Sequence, residues 1–218
     1  MDPLSYFISL ITNLNNLNAL VQTYGIWVYL VLFAIIFSET GLVVIFFFPG
    51  DSLLFVAGTF AAAGSLIIWA LIPLLALAAI TGNTVNYAIG RFIGPRAFKS
   101  DSRLLKKRYL EDAQHFYERH GKATIFITRF IPVIRTFAPF VAGIGRMRFL
   151  SFMAYNILGG VSWVLLLTLG GFFFGNMPIV KSNFTLAVYA IVIISLMPAF
   201  IAFLRQYHHN RAQVAKKK

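Results

Sequence analysis

Thr128-Arg129-Phe130-Ile131-Pro132-Val133-Ile134-Arg135-Thr136-Phe137-Ala138-Pro139 lies within an apolar stretch, residues 123–148. Two arginines and two prolines do not suit an uninterrupted lipid-facing helix. A charge at the centre of such a helix costs about 2.5–3.5 kcal/mol, and each proline removes a backbone donor and disturbs the turn before it. Basic residues bound the stretch on both sides: the run Arg96–Lys122 precedes it, and Arg146 and Arg148 follow. Basic connections stay on the cytoplasmic side of a membrane, so the stretch is expected to enter and leave on one face. A broken hairpin does this, provided that protein or a wet cavity satisfies its free backbone groups.

The composition of the chain agrees with a membrane setting. Of 218 residues, 59% are hydrophobic and 12% charged, about half the charged fraction of an ordinary soluble domain. Segments 66–93, 149–175 and 184–204 each have the length and apolar content to cross a hydrocarbon core, which takes roughly 20 helical residues. The net charge of +12 is unevenly spread: no Lys or Arg occurs before Arg91, eight lie from Arg96 to Lys122, and five from Arg205 onward. No nucleic-acid-binding signature accompanies this charge, so it reads as positive-inside bias and attraction to anionic lipid. The linker 96–122 and the tail 205–218 are expected to be cytoplasmic, and 176–183 to face the other side. Met1-Asp2-Pro3 lacks the basic start of a signal peptide, so the first apolar segment is expected to be retained.

The N-terminal half repeats the pattern. Ile26–Ser38 is apolar for 13 residues, roughly 20 Å of helix and too short to cross. Breaks follow at Glu39-Thr40-Gly41 and at Pro49-Gly50-Asp51, and a second short apolar run covers Ser52–Ala63. A continuous span through 26–48 is the competing reading. Each half begins with an amphipathic stretch, 5–22 or 102–120, and both hairpins carry the same tetrapeptide, Phe55-Val56-Ala57-Gly58 and Phe140-Val141-Ala142-Gly143. The expected fold is an all-α polytopic membrane protein built from two inverted repeats. Each repeat has an amphipathic helix, a re-entrant broken hairpin and a transmembrane helix, an arrangement used by transporters. Repeat one covers 1–93 and repeat two 101–175; a last span, 184–204, completes one membrane domain, 1–204, ahead of the basic tail 205–218.

Four ionisable residues then sit in apolar surroundings: Glu39 and Asp51 on the first hairpin, Arg129 and Arg135 on the second. Facing lipid, the four together would cost as much as a domain's whole stability, about 5–15 kcal/mol. They are therefore expected to face a polar interior, where two acids balance two arginines. Arg129 and Arg135 suit a phosphate, because a guanidinium stays charged and offers forked donors. Glu39 and Asp51 suit proton exchange. The alternative role is a fixed ion-pair cluster that sets how the hairpins pack, although buried pairs add little stability over apolar residues. Gly41, Pro49, Gly50, Pro132 and Pro139 mark the expected breaks. Asn83, Asn86 and Asn156 are candidates either for cavity lining or for hydrogen bonds between helices. Gly90-x-x-x-Gly94 and Gly171-x-x-x-Gly175 allow close helix packing, within one subunit or in an oligomer, and Trp27, Trp69 and Trp163 read as interfacial anchors or packing residues.

Cys is absent, which excludes disulfides and thiolate metal sites. The histidines, His115, His120, His208 and His209, have no metal-site spacing, and Gly-x-Ser-x-Gly, His-Glu-x-x-His and P-loop motifs are missing. No enzyme activity, metal or cofactor is expected.

Phe37-Ser38-Glu39-Thr40-Gly41, Phe48-Pro49-Gly50-Asp51-Ser52-Leu53-Leu54 and the tetrapeptide after them resemble the first-hairpin motif of the bacterial DedA family. Arg129 to Pro139, continued by Ala142-Gly143, resembles its second, and Asn83 to Arg91 and Tyr155-Asn156 to Trp163 extend the likeness over about residues 20–204. Phe47–Phe48 differs from the smaller or proline residue often found there. The resemblance implies a multi-pass protein of the bacterial inner membrane, related to eukaryotic lipid scramblases. It implies a role in returning undecaprenyl phosphate across that membrane with dependence on the proton motive force, with Glu39, Asp51, Arg129 and Arg135 as required positions. The leading expectation is a proton-coupled flippase for such an anionic lipid carrier. An ion or small-solute/proton antiporter and a non-transporting scaffold are its rivals.

Overall fold

The structure is a computed structural model that describes residues 25–42, 50–97 and 123–182. Its elements are α1 (Ile26–Gly41), α2 (Gly50–Ala62), α3 (Ile68–Ala97), α4 (Thr124–Thr128), α5 (Pro132–Ile144), α6 (Phe149–Gly175) and α7 (Pro178–Ser182), with no strand among the described residues. The amphipathic stretches 5–22 and 102–120, the last span 184–204 and the tail 205–218 lie outside them.

Two helices have spanning length, over Ile68–Ile93 and Phe149–Gly175; each exceeds the roughly 30 Å hydrocarbon core at 1.5 Å per residue. Along α6 the buried face holds Asn156, Gly159, Gly160, Thr168, Gly171 and Gly175 beside Phe152, Trp163 and Val164, whereas Leu150, Leu158, Leu166 and Phe173 are exposed. Large apolar side chains outside and a buried face rich in glycine and polar groups suit lipid as the surrounding solvent.

The shorter helices form two pairs of arms. α1 ends at Gly41, and Leu42 turns extended, so the continuous span through 48 is interrupted. The first break therefore follows Glu39-Thr40-Gly41 rather than falling on it. Those residues stay helical, and the Thr40 hydroxyl donates back to the Ile36 carbonyl at 2.8 Å. Gly50 opens α2, and Pro49 lies outside the described residues. In the second half α4 stops at Thr128, residues 129–131 turn, and Pro132 begins α5, the position where proline's missing N–H costs nothing. Pro139, expected to break the hairpin, instead sits inside α5. The helix tolerates it by giving up one backbone bond, the one an N–H at 139 would make to the Arg135 carbonyl.

Packing crosses between the halves. The first arms lie on the long helix of their own half: Gly41 meets Gly82 of α3, and Phe126 of α4 meets Gly159 of α6. The second arms lie on the long helix of the other half. A Cβ on Gly58 would strike the Thr168 carbonyl of α6, and one on Gly171 the Phe55 carbonyl. In the same way a Cβ on Gly143 would strike the Tyr87 carbonyl of α3, and one on Gly90 the Phe140 carbonyl. Both copies of Phe-Val-Ala-Gly thus use the same two positions, the Phe carbonyl to meet a glycine and the Gly to meet a carbonyl of a long helix. Gly90, Gly171 and Gly175 pack within the chain. The turns leading from second arm to long helix also correspond, each with one left-handed residue, Gly64 (φ 80°) and Arg146 (φ 52°).

Candidate functional site: a charged cluster between helix ends

This packing brings the ends of α1, α2 and α5 together against the middle of α6. Arg135, in the first turn of α5, faces the last turn of α1 and the first turn of α2. Its guanidinium donates through Nη2 to Glu39 Oε1 at 2.6 Å and through Nη1 to Asp51 Oδ1. Both acids therefore hold one arginine. Glu39 is 1% exposed, whereas the Asp51 side chain is 40% exposed, so Arg135 bridges the closed and open sides of the cluster. Gly50 makes the approach possible, because a Cβ there would collide with the Glu39 carboxylate.

Arg129 is placed differently. It is buried and makes no ion pair among the described residues, so the expected balance of two acids against two arginines is not the arrangement found. The turn after Thr128 sends Arg129 toward α6, where Gly159 and Gly160 leave a notch: their Cβ positions would lie 3.4 Å from its Cδ and 3.5 Å from its Nη2. Nη1 donates to Asn156 Oδ1 at 3.1 Å, and Nη2 has no hydrogen-bond partner.

The three candidate asparagines are all buried and all bridge elements. Asn156 Oδ1 also accepts from Asn83 Nδ2 at 3.0 Å, and its Nδ2 donates to the Ile80 carbonyl at 3.0 Å. Asn86 Nδ2 donates to two carbonyls, Thr40 at 3.1 Å and Thr136 at 2.8 Å. Those threonines directly follow Glu39 and Arg135, so one amide on α3 ties together the backbones that carry the ion pair. A cavity of about 10 Å³ adjoins the cluster, lined among others by Thr40, Asn83, Arg129, Arg135, Thr136 and Trp163; it has room for about one water.

Trp163 is the site residue that sequence reasoning did not select. Its Nε1 donates to Asp51 Oδ1 at 2.8 Å, and its ring lies under both guanidinium groups, 4.9 Å from Arg135 Cζ and 5.2 Å from Arg129 Cζ. Cation–π contacts of this kind strengthen when water is excluded. A signal was present in the spacing: Asn156 and Trp163 are seven apart, on one helical face, with Gly159-Gly160 between them. Trp27 and Trp69, by contrast, are exposed.

The VTT domain model matches residues 48–173, which run from α2 to Phe173 of α6 and include three of the four charged residues. The chain is 45% identical over 216 residues to the protein DedA of Escherichia coli K12, covering 97% of each. The chain belongs to the DedA family of VTT-domain membrane proteins. Other DedA-family relatives include an uncharacterised membrane protein of Mycobacterium tuberculosis, 44% identical over 81% of this chain and 79% of its own length. The inner membrane protein YqjA of E. coli K12 is 38% identical over 69% of each. No solved structure matches. Membrane location is thus common to these DedA relatives and to the outward-apolar helices here.

Proposed function

We propose that the protein is a proton-motive-force-dependent transporter of an anionic lipid carrier, a polyprenyl phosphate such as undecaprenyl phosphate, across the bacterial cytoplasmic membrane. The observation that carries this reading is the double hold of Glu39 and Asp51 on Arg135, next to a second buried arginine that has no acid beside it among the described residues. A phosphate and the two carboxylates compete for the same forked donors. A proton taken up by a carboxylate weakens its hold and releases the guanidinium for the head group; loss of the proton restores the ion pair and expels the head group. The prenyl chain stays in lipid. The small cavity must widen by movement between the arms, whose glycine contacts run backbone to backbone.

The reading includes two inverted repeats, 1–93 and 101–175, with re-entrant hairpins, a last span at 184–204 and a cytoplasmic tail from 205. The crossed glycine contacts and the paired left-handed turns support it. Symmetric halves around a central site suit alternating access. A cavity the size of one water favours a second reading, antiport of a small ion against protons through the same carboxylates. Labelled polyprenyl phosphate in proteoliposomes separates the two. Gradient-sensitive movement across the bilayer, lost in Arg135→Ala and Glu39→Gln, is the expected result. Equal movement with wild type, with both variants and without protein removes the lipid reading.

A further inference from the structure

The two arginines stand in contrasting surroundings within one cluster. Arg135 is doubly paired: each of its two terminal nitrogens donates to a carboxylate. Among the described residues Arg129 has neutral contacts only, the Asn156 amide oxygen and the face of Trp163, and its Nη2 is without a hydrogen-bond partner although the residue is 3% exposed. Glu39 and Asp51 both contact Arg135, so among the described residues this buried cation has no anion in contact. Such a group is costly unless something of opposite charge joins it. It also lines the cavity together with Asn83 and Thr136.

We infer that Arg129, held in the Gly159–Gly160 notch and steadied by Asn156, is the seat of the transported anion's phosphate, while Arg135 is the lock that the carboxylates open and close. The inference rests on the anionic-lipid reading and divides its two arginines by role. Asn156 fixes one edge of the Arg129 guanidinium and leaves the Nη2 edge for a phosphate oxygen. Trp163 holds the planar group from one face, so its fork is set before the ligand arrives. A single phosphate monoester head group matches one fork with one unfilled edge. Arg135 joins that phosphate only when Glu39 and Asp51 let go.

The test is a binding comparison between two charge-matched double variants of the full chain in detergent. Trp27→Phe and Trp69→Phe in all samples leave Trp163 as the sole reporter of binding, and geranyl phosphate is the probe, with geraniol as its uncharged counterpart. Glu39→Gln with Arg129→Gln and Glu39→Gln with Arg135→Gln each remove one acid and one arginine, so they differ in which arginine remains. The expected result is half-saturation at least tenfold higher in the variant lacking Arg129 than in the one lacking Arg135. Equal affinity, or the reverse order, overturns the assignment, as does failure of the reference protein to bind geranyl phosphate better than geraniol. Should the first variant not fold, Gly160→Ala replaces it, since its methyl group would cover Nη2 from 3.5 Å while Ile80 Cγ1, 3.0 Å away, gives way; at least threefold weaker binding is expected, and unchanged binding overturns the proposal. Failure of the transport reading is seen separately, as binding by a protein that moves no polyprenyl phosphate in proteoliposomes.

Discussion

The second arms, α2 and α5, are alike in packing and opposite in charge. Both carry Phe-Val-Ala-Gly, and both press the Phe carbonyl against a glycine and the Gly against a carbonyl on the long helix of the other half. Near their first turns, α2 presents Asp51 and α5 presents Arg135, which meet. The glycine contacts correspond and the charges do not, so the contact between the arms is a contact between unlike charges. Close glycine packing fixes where the arms lie. The charges determine what can hold them together or part them.

Removing one partner of that contact has the largest expected effect. Arg135→Gln strands the buried Glu39 carboxylate and should destabilise the protein by about 3–5 kcal/mol, read as a lower unfolding midpoint in detergent. Adding Glu39→Gln should restore much of the loss. The likeness between the arms is tested by Gly58→Val and Gly143→Val. Each forces a side chain onto a carbonyl and should cost about 1–3 kcal/mol or more; unequal losses would show that the two crossings carry different loads. Asn86→Leu removes the amide shared by Thr40 and Thr136 and should cost about 1–3 kcal/mol through the carbonyls left without it. A difference between the turns gives the smallest effect. Arg146→Gly relieves the left-handed conformation that Gly64 occupies freely, and should raise stability by about 1 kcal/mol.

Much of this was legible in the sequence because lipid makes polar and charged groups conspicuous. Glu39, Asp51, Arg129 and Arg135 stand out by cost alone, and the long helices follow from the lengths of apolar runs. The positions of the breaks were less well marked. Thr40 returns its hydroxyl to its own helix, and Pro139 is absorbed in α5, because single losses of backbone bonding are bearable where packing holds the helix. Pairing was not legible, since it depends on distances: Arg135 takes both acids because α5 begins where α1 ends and α2 starts, whereas Arg129 is turned into a glycine notch on α6. Trp163 escaped notice because tryptophan in an apolar span ordinarily reads as packing or an anchor.

If the anion and the proton share one cluster, adding polyprenyl phosphate to proteoliposomes that contain a pH-sensitive dye should move protons. The expected proton flux depends on the phosphorylated lipid and is lost in Glu39→Gln. Lipid movement with no accompanying proton flux, or proton flux of equal size without the lipid, would contradict a shared cluster.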